Sequence, residues 1–434
     1  MTLYSILSRR TRIRRQKLAA AMLAEIEAEQ NPAHLQLQKL NAVWKQSCSN
    51  IPYYQDLVAK GLPSSFESLD DFASKVPIFT KSLCQSLENR AFAQIDLSSL
   101  QWSATGGSTG EPMRFPRLGS ELTIHEKSEW YLRSLIGITP DDAYFKIWGH
   151  SHLQGNGIGR LTNQYSRKIK DKALKLTRVS AYDLSREAVQ RGLKKLQRSK
   201  STYVLGYSKA LEIYAEELLK NNLTQPLPTL KGVIAAAEGF STERNRTLIE
   251  EAFGCQVFME YGSMETGSIA QEISEGEYHV AWNNYFLEAV PTNDGDHKIL
   301  VTALYPRAFP LFRYDLGDLV AGFDQPLGIR HFTSINGREY PLIKTPNGNQ
   351  VHPLLVSSCL KEFEEVSFFQ VGMKGDEIAQ IYVSLRSRDR EQIIFGKLRE
   401  RLLSIDAGLD SIPFQIISQH RLTPAGKRPT FIQI

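Results

Sequence analysis

No run in this chain approaches the ~18 uninterrupted apolar residues of a membrane span. An integral helical membrane protein is thereby excluded. Cysteine is scarce: Cys48, Cys84, Cys255 and Cys359 lie far apart and form no CxxC pair. That spacing argues against a disulfide scaffold or a zinc ribbon, and for reduced thiols in a cytoplasmic protein. There is no internal repeat and no low-complexity segment. No secretory leader is expected, because the apolar run from Met1 to Ile6 is short and basic residues follow it rather than precede it.

What is present is a globular balance. Hydrophobic residues make up 42% and charged residues 23% of the 434, which excludes disordered, collagen-like and coiled-coil classes. A single core stops growing at about 250–300 residues, so one large body with a smaller appendage is expected. The net charge of +5 is local. Arg9, Arg10, Arg12, Arg14, Arg15 and Lys17 place six cations and no acid in the first twenty residues, so the remainder sums to −1. A nucleic-acid binder spreads a basic face over its folded body, and no such partner is expected here. The stretch 9–17 reads either as a solvated helix end or as a peripheral contact with an anionic membrane surface.

Periodicity predicts a helix over 12–30 ended by Pro32, and a second from His34 to Ser47. The middle alternates. A strand at Thr202–Leu205 gives way to a turn at Gly206-Tyr207-Ser208 and a helix to Lys220. A strand at Gly232–Ala237 follows, then a helix capped by Ser241 that runs to Phe253 and closes at Gly254, then a strand at Gln256–Met259. Such alternation implies parallel pairing, with ligands at the carboxyl ends of the strands. After Gly337-Arg338-Glu339 the pattern becomes a compact α+β unit, with strands at Val366–Val371, Ile378–Leu385 and Phe414–Ser418 and a helix at Arg388–Leu403.

Four segments carry chemistry. Ser103-Ala-Thr-Gly-Gly-Ser-Thr-Gly110 reads either as a nest of amides and hydroxyls for a polyphosphate or as a flexible hairpin. It is not a Walker A loop, since Glu111 stands where Lys is required. Tyr261-Gly-Ser-Met-Glu-Thr-Gly267 offers an aromatic for a base and a carboxylate for Mg²⁺, or is an ordinary turn. Phe312-Arg-Tyr-Asp-Leu-Gly-Asp318 offers a carboxylate for ribose hydroxyls, or is an Arg–Asp surface pair. In Leu422-Thr-Pro-Ala-Gly-Lys-Arg428, Lys427 is a cation able to meet developing negative charge, or one basic residue among many.

In order, and with Gly337-Arg338, these segments resemble the signature of the adenylate-forming (acyl-AMP ligase) superfamily. They most resemble its phenylacetate–CoA ligase branch and the CapK-like polysaccharide-biosynthesis proteins within it. Ile51-Pro-Tyr-Tyr54, Val76-Pro-Ile-Phe-Thr-Lys81, Gly206-Tyr-Ser208, Ala237-Glu-Gly239 and Pro346-Asn-Gly-Asn-Gln-Val-His-Pro353 are similar to that branch's landmarks. The resemblance implies an α/β fold. After a basic helix at 1–33, a large adenylate-forming domain with mixed sheets and flanking helices would occupy 34–338. A small α+β lid would occupy 339–434.

It also implies roles. Thr105, Gly106, Gly107, Ser108, Thr109 and Gly110 would cradle the phosphates of ATP. Ala236, Ala237 and Glu238 would line the adenine beneath Tyr261, with Glu260 and Gly262 beside it. Glu265 would hold Mg²⁺, Asp318 the ribose, and Arg338 ribose or phosphate. Lys427 would bridge the substrate carboxylate and the α-phosphate. Trp148, His150, His152, Gly262 and Ser263 would border the pocket for a small carboxylic acid, His150 and His152 otherwise being a polar pocket wall. Two departures stand out. Glu111 replaces the usual cation, which Arg114 or Arg117 would have to supply, and Gly337-Arg-Glu-Tyr-Pro341 lacks the usual hinge Asp. The acyl acceptor implied is coenzyme A, a carrier thiol, or an amine such as an amino sugar or amino acid. The departures also leave room for a nucleotide-binding protein without turnover.

Overall fold

The computed structural model describes residues 3–92, 100–104, 113–149, 170–181, 183–220, 230–292, 295–338, 343–351, 353–387, 389, 391–422 and 428–434. The chain has a mixed α/β fold and divides into two compact units. One comprises Met1–Asp142 and Phe258–Glu339, the other Ala143–Val257 and Tyr340–Ile434.

In the first unit, an Ala- and Leu-rich segment without Gly or Pro forms the helix Leu3–Ala28. It starts earlier than the expected 12. Pro32 ends it and also opens the next helix, Pro32–Asn50, where its missing N–H costs nothing. Arg14 and Arg15 pair with Glu126, and Arg12 with Asp141. Three of the six cations thus meet the unit's own acids, with the Arg14 side chain still half exposed. Trp44, fully buried in the second helix, gathers Tyr54, Phe66 and Phe312 with ring centroids 5.1–5.6 Å away. This aromatic cluster underlies the start of the 312–318 segment.

Besides the antiparallel pair Gln101–Ala104 and Arg114–Arg117, two antiparallel sets of strands complete that unit. One runs Tyr285–Pro291, His297–Ala303, Tyr314–Ala321, Ser334–Arg338. In the other, strand Val257–Ser263 pairs with Gly267–Ser274, which pairs with Glu277–Val280 and then His331–Phe332. One core of Phe115, Tyr261, Ile269, Tyr285, Val301, Phe309 and Tyr314, among others, is shared by these elements.

In the second unit, strands Gly232–Ala236, Tyr203–Tyr207, Tyr144–Trp148 and Leu176–Ser180 pair in that order, all parallel. Helices Arg186–Ser199, Ser208–Lys220 and Arg244–Phe253 accompany them. Two local expectations are corrected. Gly206 is strand rather than turn; it is glycine because a Cβ there would sit 3.0 Å from Leu211 Cγ. Ser241 does not cap the next helix, whose N-cap is Glu243; its N–H instead donates to Glu212 Oε1 at 2.7 Å. Gly254 closes that helix at φ 65°, as expected.

The C-terminal part of the second unit has antiparallel strands Val366–Lys374 and Glu377–Leu385. Phe414–Ile416 and Phe431–Gln433 are added in parallel, and helices Pro353–Lys361 and Glu391–Leu403 accompany the sheet. Its core is Val356, Phe369, Val371, Ile381, Leu398 and their neighbours. No described helix is long and apolar enough to cross a membrane.

Candidate active site

In the first unit, strand Val257–Ser263 runs into the turn that carries Glu265. The turn is stitched by hydroxyls: Ser263 Oγ accepts from the N–H of Glu265 at 3.1 Å and of Thr266 at 3.2 Å, and Thr266 Oγ1 accepts from Ser263 N–H at 3.1 Å. Gly262 is obligatory, since a Cβ there would lie 2.2 Å from the Gly267 carbonyl oxygen. Gly267 takes φ 74° to close the turn. The motif spacing is therefore a device for presenting one carboxylate.

Buried groups outside any motif hold this turn from behind. Arg307 donates to the Glu265 carbonyl at 2.5 Å and to Tyr305 Oη at 2.8 Å, and it pairs with the fully buried Glu121 at 3.4 Å. Tyr285 Oη donates to the Thr266 carbonyl at 2.5 Å. His125 Nε2 lies 3.0 Å from Tyr305 Oη; burial and the charges of Arg307 and Arg117 push its pKa down to about 2, so the imidazole is neutral. Arg117 donates to the Met264 carbonyl. Of the two arginines weighed as a replacement for the absent phosphate-loop cation, it is thus the one placed at this turn.

Glu265 is 8% exposed, and its Oε1 accepts from Tyr314 Oη at 3.2 Å. Tyr314 opens the strand Tyr314–Ala321, whose Asp-Leu-Gly-Asp sequence is a bulge. Gly317 adopts φ 73°, Asp315 Oδ1 accepts its N–H at 2.8 Å, and the ladder with strand His297–Ala303 shifts register between the pairs Leu300–Asp315 and Lys298–Leu319. The bulge delivers Asp318, whose Oδ2 accepts from Tyr261 Oη at 3.0 Å. Arg338 stands opposite Asp318 in the next strand. Tyr261, Glu265, Asp318 and the main chain of Arg338 are thus gathered in one unit. The other charges of the 312–318 segment have structural partners, since Arg313 meets Glu288 at 3.0 Å and Asp315 meets Lys298 at 3.1 Å. Glu260 is paired with Arg133 at 3.1 Å.

A buried carboxylate with one hydroxyl donor on it is an oxygen ligand suited to a hard cation. Glu265 fits Mg²⁺ in that sense. No cluster of three metal-ligating side chains occurs among the described residues, so phosphate oxygens and water would have to complete the coordination.

The second unit holds the remaining described candidates. Ala236 ends its strand, Ala237 takes φ 71°, and Glu238 follows. Glu238 Oε2 accepts from the N–H of Arg428 at 2.9 Å, and the Glu238 carbonyl accepts from Ser208 Oγ at 2.6 Å. Trp148 ends its own strand 4.3 Å from the Tyr207 ring, with Lys146 Nζ 4.3 Å from its ring centre. In the same unit a cleft of about 690 Å³ is lined by residues such as Val189, Ile213, Phe368, Leu385, Arg386 and His420. Thr105–Gly110, Glu111, His150, His152 and Lys427 lie outside the described residues, as does the Arg338 side chain.

No family model matches the chain. It is 22% identical over 403 residues to Protein CapK of Staphylococcus aureus, which spans 91% of this chain and 87% of that one. Among solved structures, a 2-hydroxyisobutyryl-CoA ligase in its postadenylation state superposes with a TM-score of 0.67 at 15% identity, covering 92% of this chain and 89% of that one. The acyl acid amido synthetase AtGH3.15 superposes at 0.59 and 11% identity, covering 95% and 94%. The chain has the fold of the adenylate-forming ligases, and the resemblance read from its motifs extends to its architecture.

Proposed function

We propose that the chain is an ATP-dependent ligase that activates a carboxylic acid as acyl-AMP and passes the acyl group to coenzyme A. The observation that carries this reading is the meeting of two sequence motifs in one unit. Tyr261 bonds to Asp318, and Tyr314 bonds to Glu265. A paired aromatic and carboxylate suit a nucleoside. A presented carboxylate suits the Mg²⁺ of its phosphates, where the ion would offset phosphate charge. Asp318 would accept the ribose hydroxyls, Arg338 would assist there, and Thr105–Gly110 would hold the phosphates. Ala236, Ala237 and Glu238 would serve the adenine, and Trp148, His150, His152 and Ser263 the acid.

In the first half-reaction the substrate carboxylate oxygen attacks the α-phosphorus and pyrophosphate leaves. Charge accumulates on phosphoryl oxygens, so positioning and fixed positive charge supply most of the acceleration. Lys427 would supply that charge, and its loss should cost about 2.7–4 kcal/mol of barrier. The test is carboxylate-dependent exchange of pyrophosphate into ATP across a panel of acids, with Lys427→Ala as control. Exchange that survives this substitution removes Lys427 from its role, and folded wild type inactive with every acid removes the ligase.

A second reading is amide formation with an amine such as an amino sugar or amino acid. It is favoured by the likeness to an acyl acid amido synthetase over nearly the whole chain and by the absent hinge Asp. Acceptor competition between coenzyme A and amines, read by mass spectrometry of the acylated product, separates the two. A third reading, nucleotide binding without turnover, is motivated by Glu111. It requires calorimetric ATP binding with no AMP formed from any pair. We place the protein in the cytoplasm, with residues 9–17 touching an anionic membrane. Flotation with anionic liposomes that survives deletion of those residues would remove that contact.

A further inference from the structure

The residue after Lys427 is gripped by its main chain. The Arg428 N–H donates to Glu238 Oε2 at 2.9 Å, and the Arg428 carbonyl accepts from Lys209 Nζ at 2.5 Å. The Arg428 guanidinium also donates to the Ala181 carbonyl at 3.1 Å. These partners follow three strands of the parallel sheet. Ala181 follows Leu176–Ser180, Lys209 lies just past Tyr203–Tyr207, and Glu238 lies just past Gly232–Ala236. Glu238 is itself fixed, by the left-handed turn at Ala237 and by Ser208 Oγ on its carbonyl at 2.6 Å.

The same segment is stapled at its base from the C-terminal sheet. Gln370, fully buried in strand Val366–Lys374, accepts from the Arg421 N–H at 2.8 Å and donates to the carbonyls of Arg421 at 3.0 Å and Pro429 at 2.9 Å. Both ends of the stretch that includes Lys427 are therefore fixed through main-chain atoms, which is independent of the side chains between them.

Lys209 is the costly member. It is 4% exposed, and burial pushes its ammonium below the usual lysine range although Glu238 and Glu212 face it. An apolar side chain would fill the same space without that desolvation. Its hydrogen bond goes to a main-chain carbonyl, that of Arg428, with the two carboxylates as counter-charges. We propose that Lys209 is a positioning residue for adenylation: with Glu238 and Gln370 it anchors the main chain on either side of Lys427. The catalytic meaning of this anchor rests on the ligase reading above; its existence does not.

The test is amide hydrogen exchange on the intact, ligand-free protein, read on peptides covering 419–431, with helix Glu391–Leu403 as folding control. Lys209→Met should speed exchange in the segment about tenfold or more and leave the control helix unchanged. Ser208→Ala, which removes only the hydroxyl on the Glu238 carbonyl, should give a smaller rise in the same direction. It decides the matter if Lys209→Met does not fold. Unchanged exchange in the deciding variant overturns the anchor.

In pyrophosphate exchange, Lys209→Met should lower the rate at saturating ATP by about tenfold, with half-saturation by ATP unchanged. A raised half-saturation at an unchanged maximal rate overturns the positioning role. If wild type exchanges with no acid, the ligase reading falls and the amide measurement still decides the anchor.

Discussion

The hydroxyl of Tyr314 donates to Glu265 Oε1 at 3.2 Å, joining the strand that delivers Asp318 to the turn that presents the carboxylate. Burial and the neighbouring Glu265 charge push the tyrosine's pKa up, so it remains a donor at any working pH. Tyr314→Phe should keep the fold, cost about 1 kcal/mol in a denaturant melt, and raise the Mg²⁺ concentration needed for half-maximal pyrophosphate exchange. An unchanged Mg²⁺ dependence would show that Glu265 needs no orienting partner.

Two glycines make a matched pair of substitutions. At Gly262 an added methyl meets the Gly267 carbonyl at 2.2 Å, whereas at Gly239 nothing lies within 4 Å. Gly262→Ala should destabilise by about 1–3 kcal/mol and abolish exchange activity, and Gly239→Ala should be near neutral in stability. Thermal melts alongside activity check both.

Arg307 and Glu121 are both fully buried and pair at 3.4 Å, with further bonds from Arg307 to Tyr305 and from the Ala308 N–H to Glu121. Arg307→Met leaves Glu121 without its counter-charge and releases the Glu265 carbonyl. The expected loss is about 3–5 kcal/mol in chemical denaturation. A loss under about 1 kcal/mol would mean that the turn at 263–267 stands without this support.

His125 gives a pH signature. Its folded pKa is pushed down to about 2, against an ordinary value near 6.5. Below 6.5 the unfolded chain takes up a proton that the folded chain refuses, so this stability is full above 6.5 and drains away as pH falls toward 2. Between pH 7 and 5 the loss should be about 2 kcal/mol. Glu212, pushed up to about 7 by burial, works in the opposite sense over that range. The informative quantity is therefore the difference between wild type and His125→Gln, which keeps a polar partner for Tyr305; relative to wild type the variant should gain about 2 kcal/mol of stability between pH 7 and 5, because Glu212 and Glu288, both pushed up to about 7, are common to both. Parallel slopes would contradict a neutral buried imidazole.

Much of this architecture is legible in the order of the amino acids. The alternation of strand and helix through 202–259 anticipates the parallel sheet, and Gly254 announces its helix end because only a left-handed cap suits that position. The turn carrying Glu265 is visible because its glycines and hydroxyls are contiguous. What supports it is not, since Glu121, His125, Tyr285, Tyr305 and Arg307 come from separated segments and meet only after the core forms. Ser241 misleads for a different reason: a cap-forming residue type is present, but the helix begins two residues later than that cap would place it, with Glu243 at the N-cap. The grip of Lys209 and Glu238 on Arg428 joins residues some two hundred positions apart, and no local pattern marks it.

The four thiols bear on where an activated acyl group can go. Burial pushes Cys48 and Cys359 up to about 11 and Cys84 and Cys255 up to about 12, with Glu265 adding to the effect at Cys84. At neutral pH essentially none is ionised, and a thiol that stays protonated is a poor nucleophile. None of the four is thus a ready nucleophile, and a thiol taking the cargo of a mixed anhydride formed here would have to arrive from outside.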